Sequence, residues 1–238
     1  MAKNININEI KLVGTIDAEL TLSHTVMGEK MFSTFLRCER TSGTEDILPI
    51  QISERIITTD LIPGDRVEIT GEVRTYNKKE DGSNHASLKI FVFAQTISLT
   101  EKPRDVNDVH LSGYLAKKNP ARKTPLGRVI ADVIFAVNRA YDRTSYIPCI
   151  YWGKNAEYED EQLPIGTLLE QRGRLQSREY KRAGSDEIHI AYECSISSFN
   201  VMDEMTEKEE DDDYDESETD EDLGGTSGGE AESDESAQ

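Results

Sequence analysis

Apolar residues recur at every second position, or in short β-branched blocks, through the first 202 positions, and then stop. The clearest stretch is Thr124 to Lys154, T-P-L-G-R-V-I-A-D-V-I-F-A-V-N-R-A-Y-D-R-T-S-Y-I-P-C-I-Y-W-G-K. A Pro-Leu-Gly turn feeds an apolar run from Val129 to Val137. A polar link follows from Asn138 to Ser145, then a second extended run from Tyr146 to Trp152. Blocks of this length bounded by turn residues predict strands. In this half of the chain the pattern predicts strands near Asp108–Lys117, Arg128–Asn138, Ser145–Trp152, Thr167–Tyr180 and Glu187–Val201. Turn chemistry at Asn119-Pro120, Pro125-Leu126-Gly127, Asp142-Arg143, Pro164-Ile165-Gly166 and Ala183-Gly184-Ser185 separates them. The polar segment Lys154–Gln162 predicts a short helix or helical turn between the third and fourth strands.

The same pattern occurs twice. Gly14 matches Gly113, Gly28 matches Gly127, Arg40 matches Arg139 and Pro49 matches Pro148, all 99 positions apart. Beyond a short insertion the spacing becomes 102, with Gly64 matching Gly166 and Gly71 matching Gly173. Six anchors sharing one small shift, inside matching apolar text, mark two copies of one fold. In the first copy Ser53–Asp60 takes the helical place. Five strands with one helix after the third, in about a hundred residues, is the element order of the OB-fold, a partly open Greek-key barrel. The expected fold class is therefore all-β: two tandem OB-fold barrels followed by a disordered acidic tail. The expected boundaries are 1–101 for the first barrel, 102–107 for a short linker, 108–202 for the second barrel and 203–238 for the tail. A short, proline-bearing linker keeps two barrels close.

Charge changes this picture only at its end. The formal net charge is −19 over 238 residues, but residues 203–238 hold eighteen acids and one Lys, so they carry −17. The other 202 residues hold 26 bases and 28 acids, net −2. With few apolar groups to offset chain entropy, the tail is expected to be disordered. Cys38, Cys149 and Cys194 lie in apolar strand-like runs without metal-ligand spacing, which suits free thiols in a reducing cytoplasm. M-A-K-N-I-N-I-N has no signal-peptide core, and no apolar run approaches the roughly 20 residues of a membrane helix. A soluble cytoplasmic protein without membrane contact is expected.

Comparing the copies points to the candidate chemistry. Tyr141, Tyr146, Trp152 and Tyr180 fall on Ser42, Ile47, Ser53 and Lys78 of the first copy. Arg122, Arg128 and Arg174 fall on Ser23, Glu29 and Glu72, while Arg139 and Lys154 keep basic mates in Arg40 and Arg55. The frame is shared and the rings are not, so the second barrel is expected to carry most of the binding. Its candidate set is Tyr141, Tyr146, Trp152 and Tyr180 for stacking, with Arg122, Lys123, Arg128, Arg139, Lys154, Arg174 and Arg178 for phosphates. Unpaired bases offer π-faces to aromatic rings while cations track the backbone, each stacked base contributing about 1–3 kcal/mol. Tyr151 and Trp152 are strand neighbours and point to opposite faces, so one of them belongs to the core.

The segments G-Y-L-A-K-K-N-P-A-R-K-T-P-L-G-R-V-I-A-D-V-I-F-A-V-N-R, I-Y-W-G-K-N-A-E and G-R-L-Q-S-R-E-Y closely resemble the bacterial single-stranded DNA-binding protein family. The resemblance is close over about Asn107 to Met202 and weak over Ile7 to Leu99. It places the family's principal base-stacking positions on Tyr141, Tyr146, Trp152 and Tyr180. It implies a non-enzymatic protein that coats single-stranded DNA with little sequence preference in replication, repair and recombination, and is nucleoid-associated. Four barrels per assembly, two in each chain, imply a homodimer. Family tails end in an acidic-apolar tip that docks replication and repair proteins; here the last residues are E-S-D-E-S-A-Q.

An enzyme is not expected. The chain has no phosphate-binding glycine loop, dinucleotide fingerprint, zinc-protease helix motif or nucleophile elbow, and its four histidines are scattered. No catalytic residue, metal or cofactor is expected. The other class open to the sequence is an OB-fold interaction scaffold, or a primosome-type accessory, working through its acidic tail.

Overall fold

The long strands each bury one of their two faces. In Glu45–Ser53 the residues Asp46, Leu48, Ile50 and Ile52 are buried while those between them reach the surface, the period-2 pattern of a sheet covering one core. The computed structural model describes residues 6–79, 86–140, 143–181 and 186–202. Tyr141 and the tail beyond Met202 therefore lie outside the described residues.

The first copy contains β1 (Asn8–Ile16), β2 (Thr21–Val26), β3 (Glu29–Glu39), β4 (Glu45–Ser53), β5 (Arg66–Lys79) and β6 (Ala86–Leu99). The second contains β7 (Val106–Lys118), β8 (Arg122–Lys123), β9 (Val129–Arg139), β10 (Arg143–Trp152), α1 (Lys154–Gln162), β11 (Leu168–Lys181) and β12 (Ile188–Val201). In both, the first strand pairs with the third and fifth, and the fourth runs parallel to the sixth. These closures make two OB-fold barrels. Each core is a layer of Ile, Val and Leu; the largest fully buried side chains, Tyr151 and Phe135, both belong to the second copy.

Each copy has one strand more than its sequence predicts. β2 and β8 are hairpin partners of β3 and β9, and β8 is only two residues long. The helix of the second copy spans the expected residues. In the first copy, Ser53–Asp60 forms only a 3-10 turn at Glu54–Ile56, whose Arg55 N–H is capped by Ser53 Oγ at 3.1 Å. The reason is local: Ile56, Ile57, Thr58 and Thr59 are β-branched and resist helix, whereas K-N-A-E-Y-E-D-E-Q does not.

β5 and β11 bend at matching points. Their registers shift between Thr70 and Gly71 and between Arg172 and Gly173. A Cβ at Gly71 would run into the Phe93 carbonyl, and one at Gly173 into that of Ser195. Only glycine lets the partner strand approach so closely at the bulge.

The segment 102–107 enters β7 at Val106, and β7 pairs antiparallel with β1 from Asn8↔Leu111 to Val13↔Val106. Among the described residues the twelve strands thus form one sheet. Cys38, Cys149 and Cys194 are buried and free. Among the described residues no helix is long and apolar enough to cross a membrane.

Candidate nucleic-acid interface

Strand alternation separates Tyr151 from Trp152 as expected. Tyr151 is fully buried and donates its hydroxyl to Gln171 Oε1 at 2.6 Å. Trp152 stays half-buried, its indole Nε1 donating to Ser195 Oγ at 3.1 Å. That bond fixes the ring on the outer face of the barrel, next to the helix start at Lys154.

Trp152 lines an open groove of about 800 Å³ together with Arg128, Arg174 and Arg178. Gln176, Ser177 and Ser195 supply neutral polar lining. A shallower depression of about 580 Å³ continues from Trp152 and Arg128 to Lys154. Four predicted cations and one predicted ring therefore converge. Arg174 is half-buried and donates to Gln176 Oε1 at 3.1 Å, but its buried Nε has no partner among the described residues. Burial, and then the nearby Arg40 guanidinium, push the Arg174 pKa below the usual guanidinium value. A guanidinium held this way favours an incoming anion.

The groove has a second wall that sequence reasoning missed. Arg40, Thr44, Glu45 and Ile47 of the first barrel face Arg174 and Arg178 across it. The hairpin carrying them is anchored by Asp46, which is fully buried. Arg40 donates to Asp46 through Nε at 2.7 Å and Nη2 at 2.5 Å, and Ser177 N–H donates to the same carboxylate at 2.7 Å. The hydrogen bond to Asp46 raises the Arg40 pKa. Ile47 N–H donates to Ser177 Oγ at 3.0 Å. The only sequence signal for this wall was the match of Arg40 with Arg139.

Tyr180 lies outside that groove, in a neighbouring cleft of about 1120 Å³. His189, tilted at 5.5 Å from its ring centroid, and Tyr192 line the same wall. Tyr76, Phe91 and Phe35 of the first barrel line the other. Arg178 connects the two spaces, its guanidinium 6.0 Å from the Tyr180 ring centroid and 3.5 Å from Glu193.

The remaining predicted residues go elsewhere. Tyr146 is half exposed, and its N–H donates to Thr75 Oγ1 of the first barrel at 3.1 Å. Arg139, near Arg74 of the first barrel, shares that side of the seam. Arg122 and Lys123 sit on the exposed strand β8, where Arg122 donates twice to Asp132 Oδ2, at 3.0 and 2.6 Å. Among the described residues no three His, Cys, Asp or Glu side chains converge as metal ligands would.

The model of the Single-strand binding protein family matches residues 106–202. The single-stranded DNA-binding protein B of Bacillus subtilis is 32% identical over 90 residues, covering 35% of this chain and 80% of that protein. The chain belongs to the single-strand binding protein family. The single-stranded DNA-binding protein of Enterococcus faecalis is 31% identical over 111 residues, 44% of this chain and 58% of the relative. Two Bacillus relatives are matched over 54% and 53% of their length, so the chain spans little more than half of several curated family members. The crystal structure of the wild-type single-stranded DNA binding protein from Thermus aquaticus superposes with a TM-score of 0.68 at 21% identity. It covers 84% of this chain and 95% of that one. At that identity the likeness shows the fold, and it extends over both barrels.

Proposed function

We propose that this chain binds single-stranded DNA with little sequence preference and takes no catalytic part. The observation that carries the reading is the groove in which the Trp152 ring stands among Arg128, Arg174 and Arg178. A stacking ring with cations spaced along a trench suits any base, because every base has a π-face and every nucleotide a phosphate. Family membership supports the same reading. Protection of exposed strands during replication, repair and recombination follows from it.

Two chains joined as a homodimer would supply the four barrels that the family resemblance implies. The acidic residues beyond Met202 would compete with DNA for the cationic groove, and offer a docking segment for replication and repair proteins. Three buried free thiols suit the cytoplasm, with nucleoid association following from DNA binding.

Trp152 is the only tryptophan, so its fluorescence tests the reading directly. Poly(dT) should quench it strongly. With about five phosphate contacts, log K should fall against log[salt] with a slope near −3.5. An unchanged emission spectrum at saturating oligonucleotide would overturn the proposal in favour of an interaction scaffold. Removal of residues 203–238 should tighten binding at low salt and matter little at high salt. Solution mass combined with DNA stoichiometry checks the dimer.

A further inference from the structure

The seam between the barrels has local two-fold symmetry. Residues 99 apart in the first part of the copies, and 102 apart in the second, are mates. Ile10 pairs with its own mate Val109, and the pair Asn8↔Leu111 is the mate of Leu12↔Asn107. The bond from Ile47 N–H to Ser177 Oγ has its mate in that from Tyr146 N–H to Thr75 Oγ1. Whatever lines the groove beside Ile47 and Ser177 therefore has a counterpart beside Tyr146 and Thr75.

The counterpart differs in charge at several points: Glu72 stands for Arg174, Tyr76 for Arg178, Arg74 for Gln176, Thr144 for Glu45 and Arg143 for Thr44. The mates of Arg40 and Asp46 are Arg139 and Ser145. The buried carboxylate that neutralises Arg40 has become a buried hydroxyl, and neither Ser145 Oγ nor Arg139 Nε has a partner among the described residues. Arg143 is the strand partner of Arg139, and Arg74 of the first barrel adds a further positive charge acting on it, as the Glu72 carboxylate adds a negative one. Glu72 is already engaged by Arg74 at 2.9 Å and by Gln95 at 3.0 Å.

The Arg74 guanidinium lies over the Phe93 ring, 3.6 Å from its centroid. Two residues along β5, Tyr76 is half exposed and meets Phe91 edge-on at 5.8 Å. The seam thus repeats, in different residues, the combination of rings and cations found around Trp152.

We infer that Arg74, with Phe93 and Tyr76 of the first barrel and Arg139 and Arg143 of the second, forms a second site for the same single-stranded nucleic-acid backbone. Its phosphates supply beside Arg139 the negative charge that Asp46 supplies beside Arg40. The first barrel then binds through its seam face and not through the mates of Arg128 and Trp152. Those mates, Glu29 and Ser53, are bonded to each other, and Glu29 is also paired with Arg55 at 2.8 Å. This inference rests on the reading of the Trp152 groove as a single-strand site.

Two variants of the full chain test it, Arg74→Gln and Ser145→Asp. The second restores beside Arg139 the carboxylate that the first copy keeps beside Arg40. An OB-fold covers about 4–16 nucleotides, so an oligo(dT) of about 8 is held by one groove and one of about 30 spans both. One lost phosphate contact on a single strand scales affinity by about the 0.7 power of salt concentration, about eightfold at 50 mM. Each variant should weaken the longer oligonucleotide by that factor and flatten its log–log salt slope by about 0.7, while quenching of Trp152 by the shorter one is retained. Unchanged affinity and slope for the longer strand in both variants overturns the second site alone. Absence of quenching by either length in the unaltered protein overturns the Trp152 groove, and this inference with it. Arg74 is partly exposed and lies outside the apolar core, so its variant retains the fold even if Ser145→Asp does not.

Discussion

Ile10 and Val109 stand opposite each other at the centre of the β1–β7 pairing, both buried, and each occupies the same position in its own copy. One strand pair thus joins the barrels through their cores. Unfolding either barrel would strip the other of a sheet neighbour. Ile10→Ala should cost about 2–5 kcal/mol, the range for a large-to-small change in a packed core. Urea unfolding should remain one transition followed alike by Trp152 fluorescence in the second barrel and by circular dichroism of the whole. Two separated transitions would show that the seam does not couple the barrels.

Arg122 and Arg128 looked alike in the sequence, and the structure separates them. Arg122 is tied to Asp132 at 2.6 Å, while Arg128 lines the Trp152 groove. Arg128→Gln should reduce the salt slope of oligo(dT) binding by about 0.7, one phosphate contact. Arg122→Gln should change it by clearly less. Trp152→Ala should cost about 1–3 kcal/mol of binding, the value of one stacked base. Titrations at several salt concentrations check all three.

The Cys38 thiol is pushed up to about 12, first by burial and then by the Asp105 and Asp46 carboxylates. Burial also raises Cys149 well above its ordinary value. Thiolate is the reactive form, so neither cysteine should react with a disulfide reagent at pH 8 while the protein is folded. About three thiols per chain should titrate in denaturant and almost none before it. Rapid labelling of the native protein would contradict this burial.

Glu159 is a fully buried carboxylate at the foot of the second barrel. Lys118 Nζ is 3.8 Å away, but its hydrogen bonds go to the carbonyls of Glu159, Asp160 and Leu163, capping α1. Burial raises the Glu159 pKa despite Lys118. A raised carboxyl pKa means that the folded state holds its proton longer than the unfolded state. Its contribution is therefore most favourable below the ordinary carboxylate range, and is lost as pH rises through the folded value. Glu159→Gln should melt higher than the unaltered chain at pH 7–8, and the gap should close as pH falls toward about 4, near the unfolded carboxylate value. A constant gap across that range would refute the assignment.

Some of this architecture was legible from local text. The helix at Lys154–Gln162 and the strand at Val129–Arg139 follow from polar composition and β-branched runs, which act within a few residues. In the first copy the same place keeps only the 3-10 turn at Glu54–Ile56, because the β-branched residues that follow resist helix. The two-residue β8 carries too little pattern to be seen. Arg40 was noticed only as a mate of Arg139, because nothing near it in the chain reveals that it faces Arg174.

The order of apolar and polar positions, by itself, determined two copies of a strand-rich fold and which copy holds the extra rings, since both are properties of neighbouring residues. Tertiary structure alone decided which candidates lie together. It joined Trp152 to Arg128, Arg174 and Arg178, and sent Tyr146 and Arg139 to the seam. The reason is distance along the chain. The groove is closed by contacts such as Ile47 to Ser177, 130 residues apart, and that closure depends on how β1 meets β7.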